Sequence, residues 1–305
     1  MFKRTKLYKT LILITVFLVV GFTFAGIGCV DKNSEDVSTT EKTPSASEGA
    51  SAKQSIIVKG SDTVLPLSQA EAEEFMLKNP EQSITVIGGG SGVGIAALID
   101  GEVEIAMASR SMKDSEIEEA KQNGINPLET VIGWDGIAVV VNPENPVSQL
   151  TFTQLKAIYD GNVSNWKDVG GEDRQITVIS RDSSSGTYEY FKEEILVESE
   201  YRQDALVQPA TGAIVQEIAQ NKGAIGYIGY AYLDTSTKAL ALDGGEGVFV
   251  PATEEMILSG EYPLARQLYY YTNGEPQGLA KEFIEYIMSG EGQAIVSDVG
   301  YFPAK

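Results

Sequence analysis

From about residue 55 onward, short β-branched or apolar runs alternate with glycine-rich turns and segments whose apolar residues recur at helical spacing. Residues 55–59, 84–87 and 104–108 fit strands. Residues 67–78 fit a helix, with Leu67, Ala70, Phe75 and Leu77 apolar and Glu71, Glu73 and Glu74 toward its start, where the helix dipole favours acids. A short helix to about residue 99 follows the second strand. Residues 114–123 form another, with Ser111 or Asp114 as its cap. Residues 136–141 are apolar throughout apart from glycine, as in a buried strand, and run into Asn142-Pro143-Glu144-Asn145-Pro146, where two prolines suggest a crossover. Beyond it, the pattern predicts helices at 153–159, 188–197, 213–220 and 278–289, with strands at 175–180, 224–230 and 263–272. Repeated strand, turn and helix predict an α/β protein with ligands bound at the C-terminal ends of strands. Two lobes are expected, one from 55–141 with 263–305 and the other from 142–262. Two crossovers joining them would make a molecule that closes about a hinge.

The first 54 residues do not follow this pattern. Lys3, Arg4, Lys6 and Lys9 precede the apolar run 11–24, and small residues lead to the single cysteine, Cys29. This is the layout of an export signal over residues 1–28. A cysteine after a small residue there is similar to a lipoprotein signal, in which Cys29 becomes the lipidated first residue; Gly26 stands where such signals usually carry an aliphatic side chain. The other reading is a retained membrane anchor, for which the span is short. Either way the product is expected outside the cell, tethered to the outer face of the cytoplasmic membrane. Residues 29–54 are Ser, Thr, Glu, Lys, Ala and Gly with few large apolar side chains, so a flexible linker is expected.

Composition narrows the chemistry. Among 305 residues there are 43 Asp and Glu against 23 Lys and Arg, a formal net charge of −20. That field disfavours nucleic acid and anionic lipid as partners, and any anion site must rely on short-range donors. There is no histidine, which removes Ser-His-Asp and Cys-His catalysis and the usual zinc sets. No catalytic residue, metal or cofactor is expected.

Three loops share one design. Residues 60–66, 88–94 and 181–187 each follow a strand, open a helix, and carry hydroxyls beside small residues. Glycine allows close backbone approach, and a helix start leaves N–H groups unpaired. Singly, each fits a tight turn with a Ser or Thr cap. Together, with Arg110 and Arg181 at strand ends, they can surround a tetrahedral oxyanion. Competing motifs fail: 88–94 matches G-x-G-x-x-G in no frame, no Gly-Lys-Ser/Thr occurs, and Ser91 lacks both a nucleophile-elbow context and a histidine.

Over about residues 56–303 the chain resembles the phosphate-binding proteins that serve ABC phosphate importers, the PstS family. The motifs are Gly60-Ser61-Asp62-Thr63, Gly89-Gly90-Ser91-Gly92, Ala108-Ser109-Arg110, Gly136-Ile137-Ala138-Val139-Val140-Val141-Asn142-Pro143, Asn165-Trp166, Arg181 with Ser185-Gly186-Thr187, and Gly223-Ala224-Ile225-Gly226-Tyr227. Their order is more specific than any one of them. The resemblance implies a type II periplasmic-binding-protein-like fold: two α/β lobes, two crossover strands and the ligand in the cleft. It implies phosphate donors from Ser91, Arg181, Ser185, Gly186, Thr187 and the Thr63-Val64 turn, with Ser61, Gly92, Ser109 and Arg110 as further candidates. Some members carry Asp where Arg110 stands, so Arg110 is open between ligand contact and a salt bridge to nearby glutamates.

Hydrogen phosphate carries a proton and sulfate does not, so a buried carboxylate acceptor would favour phosphate. Asp62 is the candidate acceptor; a helix cap or a partner for Arg181 are its other roles. Asp182 is expected to steady Arg181 or face solvent. The expected protein is a monomeric binding protein with a membrane permease as partner. The alternatives are the same fold binding sulfate, molybdate or tungstate, and a metal-dependent phosphohydrolase, for which no histidine and no clustered carboxylates are present near the loops.

Overall fold

The computed structural model describes residues 54–304. The expected leader, Cys29 and all of the linker but its last residue lie outside them. The first half alternates as the pattern predicts: β1 (Gln54–Gly60), α1 (Leu65–Lys78), β2 (Gln82–Ile87), α2 (Ser91–Ile99), β3 (Ile105–Ala108) and α3 (Asp114–Gln122). β1 pairs in parallel with β2 on one side and β3 on the other. Lys113, rather than Ser111 or Asp114, occupies the cap of α3.

β4 (Pro127–Val141) is much longer than the apolar run suggested. Its start, Pro127-Leu128-Glu129-Thr130, is too polar to stand out as a strand. The second half follows as β5 (Gln149–Thr151), α4 (Phe152–Tyr159), β6 (Thr177–Arg181), α5 (Gly186–Phe191), β7 (Leu206–Gln208), α6 (Thr211–Gln220), β8 (Ala224–Gly229), β9 (Lys238–Ala239), β10 (Ala241–Asp243) and α7 (Glu254–Leu258). The expected helix at 188–197 is α5 continued by a π-helical turn, Lys192–Leu196. β11 (Ala265–Asn273), α8 (Gly278–Ile287), α9 (Gly290–Val299) and β12 (Phe302–Pro303) close the chain.

The main sheet runs β2-β1-β3-β11-β4-β8-β6-β7. Its two wings are parallel and its centre is antiparallel: β11 pairs with β3 and with residues 127–136 of β4, while residues 137–141 of β4 pair with β8. β4 therefore changes partner at Gly136–Ile137, ahead of the proline-rich segment. Each half has its own apolar core. One gathers Val58, Leu67, Phe75, Ile105, Leu268 and Phe283, the other Val139, Leu155, Trp166, Phe191, Tyr227 and Leu242. Tyr227, Tyr269, Tyr270 and Tyr271 are buried as packing side chains. Among the described residues no helix is long and apolar enough to cross a membrane.

Candidate functional site

The three glycine and hydroxyl loops meet between the two halves. Each follows a strand end (β1, β2 and β6) and leads into α1, α2 and α5 respectively. Ser61, Thr63, Ser91, Ser109, Arg181, Ser185 and Thr187 are all buried. Their hydroxyls converge: Ser61 Oγ lies 2.9 Å from Ser109 Oγ, Ser91 Oγ 3.3 Å from Ser109 Oγ, and Thr63 Oγ1 2.8 Å from Thr187 Oγ1.

The polarity of the cluster follows from what stands behind it. Backbone N–H groups and guanidinium can only donate. The N–H of Val64 donates to Ser61 Oγ at 3.3 Å, that of Ser109 to Ser91 Oγ at 3.1 Å, and that of Tyr188 to Ser185 Oγ at 3.3 Å. Arg266 Nη2 donates to Thr187 Oγ1 at 3.0 Å. In each case one lone pair faces the scaffold, which leaves the hydroxyl hydrogen and a second lone pair for other partners; Ser61 Oγ donates to Ser109 Oγ, and Thr63 and Thr187 share one hydrogen. Buried hydroxyls of this kind can turn hydrogens to an acceptor-rich anion. The scaffold also redirects two expected donors: the Val64 N–H serves Ser61, and that of Gly92 bonds to Ser184 O at 2.9 Å.

Arg181 ends β6, held from behind by the Tyr227 hydroxyl, which accepts from its N–H at 3.4 Å and lies 2.7 Å from Ser180 Oγ. Phe191 stacks on the Tyr227 ring, with centroids 4.1 Å apart. The guanidinium is nearly fully buried. Nη1 donates to Thr211 Oγ1 at 3.2 Å, and Nη2 to Pro209 O at 3.0 Å and to Asp62 Oδ2 at 2.7 Å. Among the described residues its Nε has no partner. A buried, charged N–H left over suits an anion, because leaving it unpaired costs about 1–3 kcal/mol or more.

Asp62 takes the partner role among the three weighed for it. Oδ2 accepts from Arg181 across the cleft and Oδ1 accepts from the Gly89 N–H at 3.0 Å, tying the first loop to the second and to the other half. Asp62 is 13% exposed. A carboxylate has about four acceptor positions, so two stay open for a ligand proton. Asp182 neither steadies Arg181 nor simply faces solvent. Its Oδ1 accepts from the N–H of Ser184 at 2.9 Å and from its hydroxyl.

Arg110 is paired through its terminal nitrogens with Glu116, while its Nε, like that of Arg181, has no partner among the described residues. Its Nη1 and Nη2 donate to Oε2 and Oε1 at 2.8 and 2.7 Å, and Nη1 also to Ser111 O at 2.8 Å. Of the two roles left open for it, an ion pair is the one observed, and it is largely buried. Burial would raise the Glu116 carboxyl, but hydrogen bonds from Arg110 and the Lys113 N–H outweigh it and hold Glu116 below its ordinary value.

Two glycines make the close approach possible. Gly90 has φ 99°, and a Cβ there would sit 2.5 Å from Ser184 Oγ; a Cβ on Gly186 would sit 2.3 Å from Ser91 Oγ and 2.7 Å from Ser109 Oγ. Ser184, also bonded through Oγ to Gly89 O at 3.1 Å, was missed although it lies inside the Arg181 motif. Asp135 and Arg266 were missed too. Opposed in the β4–β11 register, they form a buried pair in which Arg266 Nη2 and Nε donate to Asp135 Oδ2 at 2.9 and 3.3 Å. Arg266 Nη1 donates to Ser109 O at 3.0 Å. Burial pushes the Asp135 carboxyl above its ordinary value, against the pull of Arg266. The available signal was Arg266 as the one charge in β11 and Asp135 inside the apolar latter part of β4.

Residues 45–291 match the family described as PBP superfamily domain. The phosphate-binding protein PstS of Bacillus subtilis (strain 168) is 33% identical over 293 residues, covering 95% of this chain and 93% of that protein. The chain belongs to the PstS family. The PstS of Pseudomonas aeruginosa (strain PAO1) is 35% identical over 262 residues, 80% of this chain and 81% of that one. Among solved structures, a phosphate ABC transporter substrate-binding protein from Clostridium perfringens, with bound phosphate, superposes with a TM-score of 0.75 at 37% identity; 83% of this chain and 100% of that one are covered. The periplasmic-binding-protein-like fold expected from the family resemblance is therefore the observed one.

Proposed function

We infer that this chain captures inorganic phosphate outside the cell and delivers it to the membrane permease of an ABC importer. The observation that carries this is the buried Arg181 guanidinium, fixed by Asp62, Thr211 and Pro209 with Nε left over, at the cleft where the buried hydroxyls of the three loops converge. The phosphate contacts are assigned to Arg181 Nε, to the hydroxyls of Ser61, Thr63, Ser91, Ser109, Ser185 and Thr187, and to the first N–H groups of α5 at Gly186 and Thr187. Arg110, Val64 and Gly92 support the cradle rather than touch the ligand. Asp62 accepts the proton of hydrogen phosphate while it holds Arg181, so sulfate binds less well.

The lobes are read as 55–141 with 263–305 and 142–262; the change of partner along β4 at Gly136–Ile137, just ahead of the first of these boundaries, supports that reading. Cys29 is read as the lipidated residue that tethers the chain to the outer face of the cytoplasmic membrane, with residues 30–53 as the leash. The function is read as binding without catalysis, in line with the phosphate-binding relatives that the chain matches.

Calorimetric titration of the purified chain with phosphate and with sulfate tests this. Saturable binding of phosphate and much weaker binding of sulfate are expected. No heat with phosphate overturns the assignment, and equal affinity for both removes the acceptor role of Asp62.

A further inference from the structure

One tie between the two halves touches none of the residues assigned to phosphate. Lys113, at the cap of α3, meets Glu189, in the first turn of α5, with Nζ 2.9 Å from Oε2. The chain builds both ends firmly. Glu116 Oε2, which accepts from Arg110, also accepts from the Lys113 N–H at 2.8 Å, so the turn that presents Lys113 is fixed. On the other side, the Glu189 N–H bonds to Ser185 O at 3.2 Å, which sets Glu189 one turn beyond the cap of α5. The other charges of this rim are Arg110, which also attracts Glu189, and Glu193, which lines the same groove as Arg110 and Lys113.

The start of α5 is tied to α2 as well. The Gly92 N–H, a donor that a helix start leaves over, bonds to Ser184 O at 2.9 Å. Ser184 Oγ lies 3.1 Å from Gly89 O, but Asp182 Oδ1 competes for its one hydrogen, so the backbone bond is the firmer. The helix that carries Gly186 and Thr187 is thus seated between the starts of α2 and α3. A ligand held by its first turn leaves when α5 withdraws from both. Lys113 is 41% exposed and Glu189 18%, so their pair is partly screened and small, yet every such withdrawal must break it.

Resting on the phosphate reading, we propose that Lys113 and Glu189 are positioning residues that set how long phosphate is held. The pair forms as α5 seats against α3 and breaks as it withdraws, so it slows release and leaves capture almost alone. Its two charges act in one direction although their signs differ. In a chain of net charge −20, long-range repulsion alone would make loss of a glutamate strengthen anion binding and loss of a lysine weaken it. A latch is weakened by either loss.

The test compares wild type, Lys113→Met, Glu189→Gln and the double variant. Release is followed by chasing bound radiolabelled phosphate with unlabelled phosphate, and affinity by calorimetry. Each single variant should release phosphate about two- to fourfold faster and bind it more weakly by a similar factor, Glu189→Gln included. In the Lys113→Met background, Glu189→Gln should add nothing further. Raising salt from about 0.05 M to about 0.5 M should speed release from wild type more than from the double variant. Tighter binding by Glu189→Gln overturns the proposal, because field and not contact then governs. Single losses that multiply in the double variant overturn it too, since Glu189 would then act by steadying the first turn of α5 and not through Lys113. No binding of phosphate by wild type overturns the phosphate reading and this one together. Binding by wild type with release unchanged in both single variants overturns this one alone.

Discussion

Two arginines stand at the ends of strands on opposite sides of the cleft, and they have opposite fates. Arg181 closes β6 and projects into a ring of neutral acceptors, Thr211 and Pro209, with the one carboxylate, Asp62, reaching in from the other half. Arg110 follows β3 and meets a carboxylate only six residues ahead, Glu116 in the first turn of α3, which takes both of its terminal nitrogens. A guanidinium gripped by both oxygens of one carboxylate has little charge to spare for a ligand. One shared with a distant carboxylate through a single nitrogen keeps it. The difference lies in the helix that follows, which offers Arg110 a glutamate and offers Arg181 none within reach.

The largest effect that can break this comparison is on phosphate affinity. Arg181→Ala removes the buried cation and should weaken binding by roughly 2–4 kcal/mol, as for loss of a buried charge-assisted contact. Arg110→Ala should leave affinity within about threefold while lowering stability by about 1–3 kcal/mol, because Glu116 then loses its partner in a half-buried place. Calorimetry and thermal melting on both variants check this. Equal losses of affinity would put Arg110 back among the ligand residues. The stability loss also has a pH signature. Glu116 sits below its ordinary value in the folded chain, so its contribution is complete above that ordinary value and is lost as pH falls through the lowered one. The Arg110→Ala deficit should therefore shrink in acid.

A smaller effect tests closeness rather than charge. Gly186→Ala places a methyl 2.3 Å from Ser91 Oγ and 2.7 Å from Ser109 Oγ, across the cleft from the loop that carries it. The two walls must then part, and phosphate affinity should fall at least about tenfold. Gly290→Ala, at the start of α9 with nothing within 4 Å of the added methyl, should change nothing by the same titration.

Much of this was legible in the sequence because it is local. Strand, glycine turn and helix recur at spacings that apolar periodicity reports, and the loops at 60–66, 88–94 and 181–187 stand where expected. The missing parts are long-range. Glu116 and Arg110 were both visible, but only the turn before α3 makes them a pair. Asp135 and Arg266 are 131 residues apart and meet only because β4 and β11 are antiparallel neighbours in register. The length of β4 was hidden for the same reason, since its polar start is a strand only by pairing with β11. No motif encodes a contact that the sheet itself creates.

The smallest effect sharpens the contrast between paired and unpaired carboxyls. Glu71, on the buried face of α1, has no arginine. Its Oε2 accepts from Tyr270 OH at 3.3 Å, its Oε1 has no partner among the described residues, and Ser68 and Tyr270 satisfy each other at 2.5 Å. Burial pushes its carboxyl well above the ordinary value. The sign is the reverse of that for Glu116. Below the ordinary value, folded and unfolded chains both carry the proton and Glu71 costs nothing. As pH rises toward the raised folded value, only the unfolded chain ionises, and stability is lost. Glu71→Gln cannot ionise, so its stability relative to wild type should be near zero at about pH 4 and grow to about 1 kcal/mol by about pH 8. Denaturant titration at the two ends measures it. A gain that is the same at both would mean that Gln improves packing and that the Glu71 proton plays no part.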